Sequence, residues 1–287
     1  MAATSALGLR VVGFRLAGIA ALAAMLVACG HSGGGRDATA SAIAQTAGLE
    51  PVASKGSTFD LLIYRRDDGR VGPLFVYIEG DGLAYLDQRT PSTDPTPVDP
   101  LALRLAAADP GPAVLYLGRP CQFAPGRGDP RCSVRHWTTA RFGADVVASI
   151  DDAISRERIR NPERSLVLVG YSGGGVIAAL VAARRSDVSL LVTVAAPLDV
   201  ADWTRRMGVS PLDGSESPLD QAQRLAQVRL VAFAGQRDMT VPVDSIRSAV
   251  ARLGARAELI VVPAFDHRCC WVSDWGRLRE LAWRSIH

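Results

Sequence analysis

Short apolar runs alternate along the chain with longer stretches in which apolar residues recur every three or four positions. The runs are rich in Val, Leu, Ile and Phe, and most have few polar interruptions. Such runs are typical of parallel strands that are covered on both faces. They predict seven strands, at 59–64, 74–78, 114–117, 166–169, 190–194, 230–233 and 259–262.

The stretches between these runs predict helices. Apolar residues at every fourth position over 142–154 would form one stripe against a sheet. Capping residues at 244 or 245 and at 273 or 274 predict two further helices, ending at 254 and 286. Strand and helix therefore alternate, which is typical of the α/β class with a mostly parallel sheet between two helical layers. Two long loops, 85–110 and 119–135, are expected over one end of that sheet.

The first thirty residues resemble a bacterial targeting segment. Arg10 and Arg15 precede an uncharged apolar stretch, 16–28, whose 13 residues fall short of the roughly 20 needed to span a bilayer. The stretch ends in Leu26-Val27-Ala28-Cys29-Gly30, which resembles the lipobox in which the cysteine is diacylated. We therefore expect a signal peptide over 1–28 and a lipid on Cys29. An ordinary cleaved signal, or an apolar N-terminal helix, is the alternative.

The next stretch is rich in Gly, Ala, Ser and Thr and lacks the apolar periodicity of a packed element. We expect a flexible tether over 29–50 and a single folded domain over 51–287. The hydrophobic fraction of 48% supplies a core for such a domain. The net charge is +3, from 32 basic and 29 acidic residues without a long basic run, so we expect no nucleic-acid partner.

The predicted export of the protein bears on the state of its cysteines. If Cys29 is acylated, four cysteines remain in an oxidising space. Cys121 and Cys132 lie in the same loop region, and we expect a disulfide between them. Cys269 and Cys270 are adjacent, so either a bond between them or partners in the other loop remain open. The chain has no CxxC pair and only four histidines, and we therefore expect no metal site and no cofactor.

The strongest chemical signal is the pentapeptide Gly170-Tyr171-Ser172-Gly173-Gly174, which has the pattern G-x-S-x-G. It follows the predicted strand 166–169 directly and opens an alanine-rich apolar run, 176–183. A strand, a sharp turn and a helix are the context in which this pattern presents a nucleophilic serine. A phosphate-binding loop is excluded because no Gly-Lys-Ser/Thr follows, and a plain glycine-rich turn is the alternative. Ser172 is the candidate nucleophile.

From residue 59 to the C-terminus the chain resembles the α/β-hydrolase family, in which an acid follows a later strand and a histidine comes last. Gly235-Gln236-Arg237-Asp238-Met239-Thr240-Val241-Pro242 is similar to the family's G-x-x-D-x-x-V-P segment. His267 follows the last predicted strand. The resemblance implies a triad of Ser172, Asp238 and His267. Asp244 and Asp266 are alternative acids.

The resemblance also implies an oxyanion hole made by the backbone amides of Gly173 and Asp81. Asp81 lies in Glu79-Gly80-Asp81-Gly82, where the family commonly has a His-Gly pair. This EGDG loop resembles a bacterial lipoprotein-type subgroup of the fold. We expect the carboxylates of Glu79 and Asp81 near the mouth of the site. A carboxylate facing an oxyanion would oppose it, so we expect the Asp81 side chain to be bound by its own turn or by an arginine such as Arg119.

The function implied is that of a serine hydrolase that cleaves carboxylic esters through an acyl-serine intermediate. An acyltransferase with the same triad and a non-catalytic surface lipoprotein are the alternatives. Only about 34 residues separate the predicted strands at 190–194 and 230–233, too few for a large cap. We expect a monomer in the cell envelope, held to a membrane through Cys29 and facing the periplasm or exterior, with a small-molecule or lipid acyl substrate.

Overall fold

Eight strands form one sheet at the centre of the protein. The computed structural model describes Met1, Ala2 and residues 34–53, 56 and 58–284. The strand order is β1-β2-β4-β3-β5-β6-β7-β8, with β1 and β2 antiparallel to their neighbours and all other pairs parallel. The strands are β1 (Glu50–Val52), β2 (Ile63–Asp67), β3 (Leu74–Ile78), β4 (Ala113–Leu117), β5 (Leu166–Tyr171), β6 (Val188–Val194), β7 (Leu230–Gly235) and β8 (Ala257–Val262).

Helices cover both faces of this sheet. Along β3, Leu74, Val76 and Ile78 pack with one apolar cluster, and the alternating residues Phe75 and Tyr77 pack with another. The first cluster includes residues of α4 to α8, and the second includes residues of α1, α2, α3 and α9. The helices are α1 (Gly34–Thr46), α2 (Leu101–Ala108), α3 (Phe123–Arg127), α4 (Ala144–Arg158), α5 (Gly173–Ala182), α6 (Val200–Met207), α7 (Ala222–Leu225), α8 (Val243–Leu253) and α9 (Trp275–Arg284).

The predicted α/β class is confirmed, and six of the seven predicted strands lie within one or two residues of the observed ones. The first predicted strand differs, because β2 begins at Ile63 rather than at 59, and the short β1 was not predicted. Phe59 and Leu61 are buried, but outside the sheet. β2 instead contains Arg65 and Arg66, which are tolerated because only the three-residue β1 lies beyond it.

The segment 29–50, expected to be a flexible tether, contains the helix α1. The prediction of a tether is therefore wrong over 34–50. Ala40 and Ala44, four residues apart on α1, are buried in the same cluster as α2. Their small side chains allow close approach to α2, although they give no apolar periodicity in the sequence. Asp37 at the start of α1 forms an ion pair with Arg127, at 2.6 Å. Residues 3–28 of the predicted signal peptide, and Cys29 with its predicted lipid, lie outside the described residues.

Two disulfides connect loop residues. Cys121 and Cys132 are bonded as predicted, with a sulfur–sulfur distance of 2.08 Å. Cys269 and Cys270 are bonded to each other, which is one of the two possibilities that the sequence left open.

The connection between β6 and β7 is short, as expected. It contains α6, a 3₁₀ helix at Pro218–Gln221 and the four-residue α7, and no separate cap domain forms from these residues. Of the helices in the described part of the chain, none has the length and apolar character to cross a membrane.

Candidate active site

Ser172 lies in a sharp turn between β5 and α5. Its backbone has φ 51° and ψ −126°, a conformation that is uncommon for a residue with a side chain. The turn is held by the Ser172 amide, which donates to the carbonyl of Val194 on the neighbouring β6 at 2.8 Å. The pentapeptide therefore occupies the strand-turn-helix context predicted from the sequence.

The glycines after Ser172 are required by close packing. A Cβ atom on Gly174 would lie 2.3 Å from the carbonyl oxygen of Ile78, at the end of β3. A Cβ on Gly173 would lie 2.0 Å from Oδ1 of Asp81. Any larger residue would push α5 away from the loop after β3. The two glycines thus bring Ser172 and the 79–82 loop together.

The three residues proposed as a triad form a hydrogen-bonded chain. The Nε2 atom of His267 lies 3.1 Å from the Ser172 hydroxyl oxygen, and its Nδ1 atom lies 2.8 Å from Oδ2 of Asp238. The Asp238 carboxylate is fully buried, and the His267 side chain is 17% exposed. An imidazole placed in this way can accept a proton from the serine while the carboxylate fixes the ring orientation.

Asp238 is oriented by its own turn. Its second oxygen, Oδ1, accepts hydrogen bonds from the backbone amides of Thr240 and Val241, both at 2.8 Å. The two alternative acids lie elsewhere. Asp244 is exposed on α8, and Oδ1 of Asp266 accepts from two backbone amides of the following turn. Of the three acids, the structure places only Asp238 against the imidazole.

Two aromatic residues that sequence reasoning missed hold the loop of His267. The Tyr171 hydroxyl donates to the His267 carbonyl oxygen at 3.0 Å, and the two rings lie 5.3 Å apart. The indole of Trp271 donates to the carbonyl oxygens of Asp266 and His267, at 3.0 and 3.2 Å. Only the positions of these residues, one beside the serine and one shortly after the histidine, could have indicated them.

Two arginines bind the carboxylate of Asp81. Arg119, one of the two kinds of partner expected from the sequence, donates to Oδ1 at 3.2 Å, and Arg141 donates to Oδ2 at 2.8 Å. Burial acts to raise the pKa of Asp81, but the two guanidinium groups outweigh it and lower that pKa below its usual value. Asp81 is therefore charged and fully engaged. Sequence reasoning missed Arg141, for which no motif gave a signal.

The Asp81 amide is left without an acceptor among the described residues. Gly173 begins α5, where the first backbone amides of a helix have no partner within it. The Asp81 side chain lies directly against Gly173. Two amides without an acceptor in the described part of the chain thus come from residues in contact, one of which directly follows Ser172.

Glu79 lies deeper than expected, and its predicted place near the mouth of the site is wrong. The residue is 1% exposed. Its carboxyl accepts from the amides of Gly80, Ala102 and Leu103, at 3.0 to 3.3 Å, and from the Tyr116 hydroxyl at 3.1 Å. The side chain turns inward because the start of α2 offers free amides. Burial raises the pKa of Glu79 to about 7, although these hydrogen bonds act in the opposite direction.

A cleft of about 390 Å³ opens beside Ser172 and His267. The loop 79–85 and the segment 97–101 line one part of it, and Trp203, Val241 and His267 line another. The lining is mixed, with apolar side chains beside several charged ones. A cleft of this size accepts a small organic substrate.

His136, the other histidine whose position the structure describes, lies away from this cleft. His136 lies with Nε2 3.3 Å from the carboxylate of Asp145. In the described part of the chain, no group of three or more His, Cys, Asp or Glu side chains is arranged to hold a metal ion.

Comparison with known proteins supports the architecture. The sequence matches no protein-family model and no curated protein. Among solved structures, an α/β serine hydrolase homologue from Coxiella burnetii covers 83% of this chain and 95% of its own, with a TM-score of 0.55 and 16% identity. An α/β serine hydrolase without a lid from Xanthomonas campestris covers 83% and 93%, with a TM-score of 0.55 and 15% identity.

An esterase from Pyrococcus furiosus covers 85% of this chain and 96% of its own, with a TM-score of 0.59 and 16% identity. These identities are too low to transfer a substrate. The similarity over most of each chain agrees with the α/β architecture, and the Xanthomonas campestris protein is itself described as having no lid. The protein has the α/β-hydrolase fold, and the residues that the structure describes form no separate lid domain.

Proposed function

We propose that the protein is a serine hydrolase that cleaves carboxylic esters through an acyl-serine intermediate. The observation that carries the proposal is the chain from Ser172 through His267 to Asp238, with heavy-atom distances of 3.1 and 2.8 Å. Solved structures with the same fold include proteins described as serine hydrolases and an esterase, which supports this class of reaction.

In the first half of the reaction, the Ser172 hydroxyl oxygen attacks the ester carbonyl carbon and its proton passes to Nε2 of His267. The negative charge that develops on the carbonyl oxygen is stabilised by the amides of Gly173 and Asp81. The C–O bond to the alcohol then breaks, and the imidazolium returns its proton to the leaving oxygen. In the second half, water attacks the acyl-serine by the same route and releases the acid.

Ser172 can be tested directly. The protein should react covalently with a fluorophosphonate probe, and Ser172→Ala should abolish both labelling and ester turnover, with a loss on the order of 10⁶ in kcat. Ser189→Ala is a matched control because Ser189 lies on β6 away from the cleft, and it should change neither. Near-normal turnover by folded Ser172→Ala would overturn the proposal. Product analysis with an added alcohol separates hydrolysis from acyl transfer.

We also propose that the mature protein is anchored to a membrane through a lipid on Cys29. The support is the sequence Leu26-Val27-Ala28-Cys29-Gly30 after a short apolar stretch. Together with the EGDG loop, this sequence points to a lipoprotein-type subgroup of the fold in the cell envelope. Cys29→Ala should move the protein from the membrane fraction to the soluble fraction, and mass spectrometry should find no lipid adduct. Unchanged partitioning would contradict the anchor.

A further inference from the structure

The acidic groups that line the cleft are all engaged by the protein. Glu79 accepts from three backbone amides and a hydroxyl, and Asp81 is bound by two arginines. Asp99 forms an ion pair with Arg104. Glu79 and Asp81 are thus fully used within the protein, while Asp99 is exposed and paired at the surface. The basic groups of the same cleft, in contrast, have hydrogen-bond donors that the described part of the protein does not use.

Arg141 has one donor nitrogen that the protein does not use. Its Nε donates to the carbonyl oxygen of Thr138 at 2.7 Å, and its Nη1 donates to Asp81 at 2.8 Å. Its Nη2 has no acceptor among the described residues, and it is not sealed from solvent. The side chain is only 8% exposed, and it lines the cleft. The guanidinium is therefore fixed, nearly buried and open to the cleft through one nitrogen.

Other donors lie around the same space. The ring of Tyr85 lies 5.8 Å from the guanidinium carbon of Arg141, and its hydroxyl has no partner in the described part of the chain. Arg268, next to His267, is exposed on the cleft rim, and its side chain forms no ion pair with any described residue. The cleft thus offers two guanidinium groups and a hydroxyl.

The local charge favours an anion beside Arg141. The single carboxylate of Asp81 lies between Arg119 and Arg141, so this group of three carries one excess positive charge. Glu79, the other acid nearby, directs its oxygens to the amides of Gly80 and α2 and to Tyr116. Burial raises the pKa of Glu79 to about 7, so at neutral pH its charge offsets this excess only in part. In a partly buried site, a guanidinium binds a carboxylate or phosphate more strongly than at an open surface, because less water competes.

We propose that the cleft binds an ester substrate that carries a negatively charged oxygen group, and that Arg141 is the residue that recognises it. This inference rests on the proposed hydrolase function. Asp81, which Arg141 binds, lies against Gly173 beside the nucleophile. The anionic group would therefore lie only a few bonds from the ester carbonyl. Arg141 acts in substrate binding, and the chemical step stays with Ser172 and His267.

Matched pairs of esters test the proposal. For an anion on the acyl side, the methylumbelliferyl monoester of adipic acid is compared with the hexanoate ester of the same alcohol. For an anion on the alcohol side, 4-(butanoyloxy)benzoic acid is compared with its methyl ester. In at least one pair, the wild-type kcat/KM for the anionic ester should exceed that for the neutral one by about tenfold. Raising the ionic strength should reduce that ratio.

Substitutions assign the preference to Arg141. Arg141→Met should reduce the anionic-to-neutral ratio to about one, mainly through a higher KM for the anionic ester. Arg141→Lys, which keeps a charge for Asp81 but loses the planar pair of Nη donors, should lose most of the preference and serves if the methionine variant does not fold. Arg164→Met is the matched control, because Arg164 is similarly buried, at 9% exposure, and paired with an aspartate, but it lies just before β5. That variant should keep the wild-type ratio.

The outcomes distinguish this inference from the function on which it rests. Hydrolysis of the neutral esters with fluorophosphonate labelling, but without preference in either pair, overturns the anion site and leaves the hydrolase in place. A preference that survives in both Arg141 variants also overturns it. Absence of labelling and of all turnover overturns the proposed function itself.

Discussion

Two aspartates belong to the candidate active site, and the protein holds them in different ways. Asp238 is held by the amides of residues two and three positions later in the chain. Asp81 is held by arginines 38 and 60 positions away. One carboxylate is thus oriented by a local turn, and the other by long-range ion pairs.

In the proposed hydrolase, this difference separates two chemical roles. The turn around Asp238 occupies one carboxylate oxygen and leaves the other for the imidazole of His267, where a negative charge stabilises the protonated ring. Both oxygens of Asp81 are used by arginines, so its charge is balanced beside the place where an oxyanion would form. A residue with a charged side chain near a reaction centre can therefore contribute to catalysis through its backbone amide alone.

The same chemical change at the two aspartates should have very different effects. In Asp238→Asn, the amides of Thr240 and Val241 would bind the amide oxygen and turn the NH₂ group toward Nδ1 of His267. The ring would then carry its proton on Nε2, where it cannot accept the serine proton, and kcat should fall by about 10⁴. Steady-state kinetics with a neutral ester, with circular dichroism to verify folding, measures this loss.

Asp81→Asn is the counterpart and should retain most of the activity, because the backbone amide and the shape of the side chain are kept. If a folded Asp81→Asn protein is as inactive as Ser172→Ala, Asp81 takes part in the chemistry directly. The distinction between the two aspartates would then be wrong.

When the backbone amide of Asp81 is removed, we expect a loss of activity smaller than that of Asp238→Asn but larger than that of Asp81→Asn. Proline has no amide hydrogen, so Asp81→Pro would remove one donor to the oxyanion and should reduce kcat by about 10²-fold or more. Because proline also removes the carboxylate, Asp81→Ala is the control that keeps the amide. Equal activity of the alanine and proline variants would show that the amide is not a donor.

The smallest effect concerns Glu79, two residues before Asp81, and it is seen in stability. The pKa of Glu79 is raised from 4.5 to about 7, so the folded protein holds this proton more tightly than the unfolded chain. Its favourable contribution is complete below about pH 4.5 and is lost as the pH rises through 7. Glu79→Gln removes this titration.

The free energy of unfolding of Glu79→Gln, relative to the wild type, should therefore increase between pH 5 and 8, by about 3 kcal/mol at most. Denaturant titrations at several pH values measure this difference. The hydrogen bonds that glutamine changes give an offset that does not depend on pH, so only the slope matters. Parallel pH curves for the two proteins would show that Glu79 does not titrate in this range.

Much of the fold and of the site follows from short stretches of sequence. The central strands are continuous apolar runs, because a parallel strand buried on both faces needs them. The turn at Ser172 is determined by one pentapeptide. The segment around Asp238 contains both the acid and the amides that bind it. Features whose physical causes lie within a few residues are visible in the sequence.

What only the tertiary structure decided involves contacts between distant residues. Arg141 could not be connected with Asp81, because the 60 positions that separate them include α2, β4, α3 and the loops between these elements. Glu79 turned inward because α2 begins beside it, and the helix 34–46 formed because two alanines fit against α2. A sequence shows which groups need partners. Which distant groups meet those needs depends on the packing of the whole chain, because a carboxylate or an alanine is satisfied equally well by many surroundings.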